Sequence, residues 1–220
     1  SRADERMLLG VMEGANSPDF MDALPLHIIT EPGKAKKMSY VDVACSKGFR
    51  YVRYVGPTDM RCNIGELEFY GHAGEGNDSI LYRLTNLPTV SIHTENNVEP
   101  YDKVHNINAL ITIISDKDEK VRTDSGVVRL RGNGSITFPK KPYRIKLNEK
   151  HKMLGLGKAK SWVLLANYHD LTSMMNTYVF EVARWMGMPY VNHTRFVELF
   201  IDGEYEGLYQ LTEQVQQGSI

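Results

Sequence analysis

The chain has 220 residues and a mass of 25.0 kDa, enough for one large or two small domains whose core needs no disulfide or metal support. With 42% hydrophobic and 24% charged residues it has the composition of a folded protein rather than a disordered one. No apolar run approaches the ~18 residues of a membrane span, a net charge of −1 excludes wholesale electrostatic binding of nucleic acid, and two cysteines exclude a disulfide-rich scaffold or a four-cysteine zinc site.

Residues 1–72 read as mostly β. Leu24–Thr30, Tyr40–Ala44, Arg50–Val55 and Glu66–Tyr70 are short β-branched or aromatic runs punctuated by Gly, Pro, Asn and Asp. The start, Ser1 to Arg6, lacks Met and has no signal-peptide pattern, as expected of a processed product or a piece of a longer chain. Gly71–Ser79 carries three glycines among polar residues and reads as a linker. Further strands are expected at Leu87–His93, Ala109–Ser115, Val127–Arg131 and Tyr143–Leu147. Asp170 is a candidate N-cap for a helix in which Met174, Tyr178, Val182, Trp185 and Met186 recur at three- and four-residue spacing. Gly187 and Pro189 end it. Arg195–Ile201 and Tyr205–Leu211, joined by Asp202-Gly203, read as a β-hairpin.

The charge is unevenly spread. Ten Lys or Arg lie between Arg129 and Lys160 against the single acid Glu149, and five acids lie between Glu198 and Glu213 with no Lys or Arg. The basic stretch is either a solvated face or an anion site whose cations converge. Within it, Arg131-Gly132-Asn133-Gly134-Ser135 is either a plain β-turn or a loop whose backbone N–H groups cradle an anion. Its spacing does not fit the G-x-x-x-x-G-K-[ST] phosphate loop. Further on, a period of two puts Arg144 and Lys146 on one strand face and Tyr143, Ile145 and Leu147 on the other. That pair is either a clamp for a polyphosphate or two long side chains shielding a sheet. The histidines 93, 105, 151, 169 and 193 follow no metal-binding spacing, and no nucleophile motif is present. Cys45 and Cys62 suit either a bridge or two thiols.

Several segments carry a family likeness in order and spacing. They are residues 128–135 (VRLRGNGS), 140–147 (KKPYRIKL), 161–168 (SWVLLANY), 183–189 (ARWMGMP) and 203–214 (GEYEGLYQLTEQ). Together they resemble the CotH kinase family, atypical secreted kinases of the spore-coat-protein-H type. The resemblance implies an α+β fold, with residues 87–220 forming a kinase-like N-terminal lobe of antiparallel sheet plus helix, after a linker at 73–86. It also implies ATP as cofactor. Lys146 would meet the phosphates, Arg131 and Arg144 would support it, the Asn133 loop would lie near the phosphates, and Glu213 and Gln214 near the adenine side. Glu181 would either orient Lys146 or be a solvated helix residue. Mg or Mn would be held, and the catalytic residues supplied, by residues beyond Ile220. Met175-Asn176 departs from the family's Arg before the helix asparagine.

Gly10–Phe20, Phe49–Val55 and Cys62–Gly71 resemble the later half of a discoidin-like, galactose-binding-like module, which makes residues 1–72 a partial β-sandwich. The expected protein is the ATP-binding portion of a secreted or surface-attached bacterial protein kinase. Its partners would be a secreted or surface protein substrate and a glycan, without nucleic acid or a membrane span. The alternative is a non-enzymatic adhesion or glycan-binding protein on the same scaffold.

Overall fold

The computed structural model describes residues 5–34, 37–43, 45, 47–58, 64–74, 84–115 and 121–215. In chain order the strands are β1 (Val11–Ala15), β2 (Leu24–Ile28), β3 (Tyr51–Val55), β4 (Thr89–Thr94), β5 (Ile107–Ile114), β6 (Val121–Leu130), β7 (Tyr143–Lys152) and β8 (Lys158–Leu165). The helix α1 (Met175–Trp185) follows, then β9 (Thr194–Ile201) and β10 (Glu204–Glu213). Strands β1 to β3 form a small sheet in the order β2-β1-β3, and the other seven close a barrel in the order β10-β8-β7-β6-β5-β4-β9.

Closure depends on one pairing between distant segments. The antiparallel ladder from β4 round to β10 is completed when β9 lies parallel to β4, from Thr89 opposite Glu198 to Ile92 opposite Ile201. Alternate residues of every strand then face one interior, filled by Ile92, Ile111, Ile145, Leu147, Trp162, Leu164, Leu199, Tyr209 and Leu211. The expected α+β, kinase-like lobe of sheet plus helix behind a partial β-sandwich is therefore overturned. The described residues are mostly β, with a closed barrel and a single α-helix on its outside. A sheet closed on itself buries its own apolar face and needs no helical layer to cover it.

The small sheet packs on the barrel wall. Val11 and Ile28 meet Phe200 of β9, and Leu24 meets Ile114 of β5. Between them lies a buried charge cluster. Glu13, fully buried, takes Arg53 Nε at 2.7 Å, and its other oxygen lies 3.8 Å from His93 Nε2. Burial pushes the Glu13 carboxyl up against the opposing pull of Arg53, and drives the His93 imidazole down to about 4. The carboxylate also abuts the β9–β10 turn, where Gly203 has φ +89° and any Cβ would fall 2.7 Å from Glu13 Oε2.

Several local expectations change. Residues 40–43 and 66–70 are not strands, and Ala44 and Cys62 lie outside the described residues. Helix α1 starts at Met175, not beside Asp170. Asp170 still caps it from a distance, its carboxylate accepting the Met175 N–H at 2.8 Å and the Thr172 hydroxyl at 2.6 Å. The apolar stripe that predicted the helix faces water: Met174, Tyr178, Trp185 and Met186 are exposed, Trp185 at 88%. The helix instead lays a polar face on the outer wall of the barrel, Thr177 Oγ1 accepting from Gln210 Nε2 at 2.8 Å.

Candidate anion-binding site

Strands β6, β7, β8 and β10 run side by side, and the pleat sends the residues between their core positions outward. Register sorts these into three rows across the outer face. In the first, the Arg131 N–H donates to the Pro142 carbonyl at 3.0 Å, and Leu165 lies opposite Gln210. The second holds Arg129 opposite Arg144, then Val163 and Thr212. The third holds Val127 opposite Lys146, then Ser161, whose carbonyl accepts the Gln214 N–H at 3.0 Å. Arg131, Arg144, Lys146 and Gln214 are thus brought to one face of the sheet.

The electrostatics of that face are one-sided. Arg144 is half-buried, and its Nη2 reaches Ser161 Oγ at a long 3.4 Å. Its Nε is buried and has no hydrogen-bond partner among the described residues. Burial, then the positive charges of Arg129 and Arg131, push its pKa down. Arg131, Arg144 and Lys146 form no ion pair among the described residues. A buried guanidinium donor without an acceptor, under the influence of other cations, is costly unless an anion arrives.

Around this face, Gly132 turns the chain with φ +99°, a conformation that leaves no room for a Cβ against Ser135. Asn133 follows, exposed, its side-chain oxygen accepting from Lys103 Nζ at 3.1 Å. Gly134–Thr137 then forms a short 3-10 turn. Glu213 lies in the row of Trp162 and is committed to His193, taking its N–H at 3.0 Å and its Nδ1 at 2.9 Å. The Gln214 side chain donates to the Val215 carbonyl at 3.3 Å. Glu181 pairs with Arg184 on its own helix.

Beyond the first row opens a cavity of about 410 Å³, lined among others by Arg131, Lys140, Phe138, Tyr168, His169 and Asn176. Phe138 stacks on Tyr168 with centroids 5.5 Å apart and meets the His169 ring edge-on at 4.2 Å. Lys140 reaches the Leu208 carbonyl at 2.6 Å, and burial lowers its pKa. A chain of amides holds the floor. Asn176 Nδ2 donates to Asn167 Oδ1 at 3.0 Å, Asn167 Nδ2 to Gln210 Oε1 at 3.1 Å, and Gln210 to Thr177. Sequence reasoning did not single out Phe138, Lys140, Tyr168 or His169 as site residues. They sit on two loops some thirty residues apart, and no periodicity links them; Lys140 and Tyr168 do lie inside segments of the family likeness.

All three rows, the cavity and α1 fall within one stretch of chain, apart from the row-ending Val127. Residues 128–220 match the family model of CotH kinase protein. The matched segment begins inside β6 and takes in β7, β8, α1, β9 and β10, while β4 and β5, which complete the same barrel, precede it. No curated protein matches the chain.

Proposed function

We propose that the chain carries the ATP-binding part of a CotH-type protein kinase that acts on secreted or surface proteins of a bacterium. The phosphates lie over Arg131, Arg144 and Lys146, beside the Asn133 loop and Gln214. The base enters the cavity against Phe138, Tyr168 and His169, as planar groups do on aromatic faces. The observation that supports this reading is Arg144, whose buried Nε has no hydrogen-bond partner among the described residues and whose charge is opposed by those of Arg129 and Arg131. Arg offers a bidentate fork and Lys146 a compact charge, the combination that suits a polyphosphate. The family's description as a kinase supports the nucleotide and the transfer chemistry.

ATP supplies the phosphoryl group; what these residues contribute is charge neutralisation and orientation of the phosphates. The Mg²⁺ or Mn²⁺ of kinase chemistry does not fit this face, which is cationic. Among the described residues no group of three or more His, Cys, Asp or Glu is placed to hold a metal ion. Residues 1–72 we assign to attachment at a surface or glycan. No helix among the described residues is long and apolar enough to cross a membrane.

The test is calorimetric titration of ATP into the wild type and into Arg144→Met and Lys146→Ala. Loss of a charged hydrogen bond to phosphate weakens binding about 10- to 100-fold. Lys158→Ala, on the far end of the β7–β8 ribbon, is expected to bind as the wild type does. Equal affinity in all four proteins would refute the assignment.

A further inference from the structure

The outer side of α1 is apolar and open to solvent. Helical positions three and four apart share a face, so Met174, Met175, Tyr178, Val179, Trp185 and Met186 form one stripe along the 11-residue helix. Trp185 is 88% exposed, Tyr178 and Met186 are 70% exposed, and Met175 is 65% exposed. Hydrogen bonds on the other side of the helix fix this orientation. Gln210 Nε2 donates to Thr177 Oγ1 at 2.8 Å, and Arg184 Nη2 donates to the Asn192 carbonyl at 2.8 Å. Turning the stripe inward would break both.

The size of the stripe decides what it can be. A Trp or Tyr side chain covers about 150–250 Å² and Met or Val somewhat less, so six at half to nine-tenths exposure leave roughly 800 Å² of apolar surface. The largest apolar patch on an ordinary monomer is about 300–600 Å², whereas one side of a standard interface is about 800 Å². Charge decides the partner. Between Leu171 and Asn192 only Glu181 and Arg184 are charged, and they pair with each other. A face without net charge gives an acidic or basic partner nothing to select, and it lacks the row of Lys and Arg with which amphipathic helices hold anionic lipid. It has what a two-fold contact requires. There each group meets its own copy, so an unpaired charge repels itself and an uncharged stripe does not.

We propose that the α1 stripe pairs with the same stripe of a second copy of this chain, making an isologous two-fold dimer anchored by Trp185 and Tyr178. Exposed Trp and Tyr side chains that become buried at an interface carry a large share of its energy. The methionines, unbranched and adaptable, fill the irregular gaps between them. Met175 also lines the cavity beside Asn176, so the second copy borders the cavity described above.

The experiment is sedimentation equilibrium of the intact chain over a broad concentration series, with acrylamide quenching of tryptophan fluorescence read on the same samples. Trp162 is fully buried in the barrel, so the quenchable signal is that of Trp185. The expected result is a monomer–dimer equilibrium with a micromolar or tighter Kd, and shielding of Trp185 as the dimer forms. Trp185→Glu sets a charge against its own copy and should weaken the dimer about 30-fold or more. Tyr178→Glu should do the same. Both side chains are exposed, so thermal melts by circular dichroism should show both variants folded. Tyr40→Glu, 78% exposed between β2 and β3 of the small sheet, is expected to dimerise as the wild type does. A monomer at every concentration would overturn the inference. So would association that Trp185→Glu leaves unchanged, or that leaves Trp185 open to the quencher. None of these readouts uses ATP, so the function proposed above stands or falls separately.

Discussion

Replacing Gly203 by alanine would insert a methyl group where the small sheet presses on the barrel. Two costs add. Gly203 has φ +89°, a region that costs an L-residue about 1–2 kcal/mol. The new Cβ would lie 2.7 Å from Glu13 Oε2 and 2.9 Å from Oε1, so the carboxylate must move. Glu13 is fully buried and held by Arg53 Nε at 2.7 Å, so moving it breaks a charged hydrogen bond worth about 1.5–3 kcal/mol. The sum is about 2.5–5 kcal/mol, or roughly 10 °C in melting temperature for a chain of this size. Gly155→Ala is the control, because Gly155 has φ +78° with nothing within 4 Å of a Cβ. It should lose only the backbone part, about 1–2 kcal/mol. Urea unfolding followed by circular dichroism measures both. Adding Glu13→Ala to Gly203→Ala vacates the contested space, so the double variant should lose less than the sum of the singles. Equal losses for Gly203→Ala and Gly155→Ala, or strict additivity in the double, would refute the contact.

Other outcomes follow from buried polar groups. Burial first, then the charges of Glu204 and Glu99, raise Glu206 from 4.5 to about 7 against the pull of Lys140. The folded state therefore keeps a proton that the unfolded chain has released, and this stability, full below about pH 4.5, is lost as pH rises through about 7. Glu206→Gln should exceed the wild type in urea midpoint at about pH 8 and match it at about pH 4. His93 acts in the opposite sense. Burial holds its imidazole neutral down to about 4, so stability falls as pH drops from 6.5 towards that value, and His93→Gln should flatten this acid limb. Gln210→Leu would leave Asn167 Nδ2 with the Ser173 carbonyl alone and take away the donor to Thr177 Oγ1, and should lower unfolding free energy by about 1–3 kcal/mol with the largest loss of amide protection in α1.

What the sequence reveals here is the local order. The alternation in 143–147 turns Arg144 and Lys146 outward and Tyr143, Ile145 and Leu147 inward, and the Asp202-Gly203 turn joins β9 to β10. What stays hidden is whatever joins distant segments. Barrel closure rests on the parallel pairing of β4 with β9, about 110 residues apart, and no local pattern encodes it. Strand β1 reads poorly because its centre is Glu13, whose burial makes sense only beside Arg53 and His93. The second half of β7 is Asn148 to Lys152, too polar to look like a strand, yet it pairs with β8 as an exposed ribbon. Helix α1 was found from an apolar stripe, but the stripe faces solvent and the helix seats itself through Thr177 and Gln210. The cavity escapes for the same reason as closure, because Phe138 and Tyr168 meet only in the folded chain.

The most direct test of the anion-binding face is a crystal structure of the chain with a non-hydrolysable ATP analogue. Phosphate oxygens are expected within hydrogen-bond distance of Arg144 Nε, with the base against Phe138 and Tyr168. An analogue bound elsewhere, with Arg144 Nε still unpaired, would contradict it.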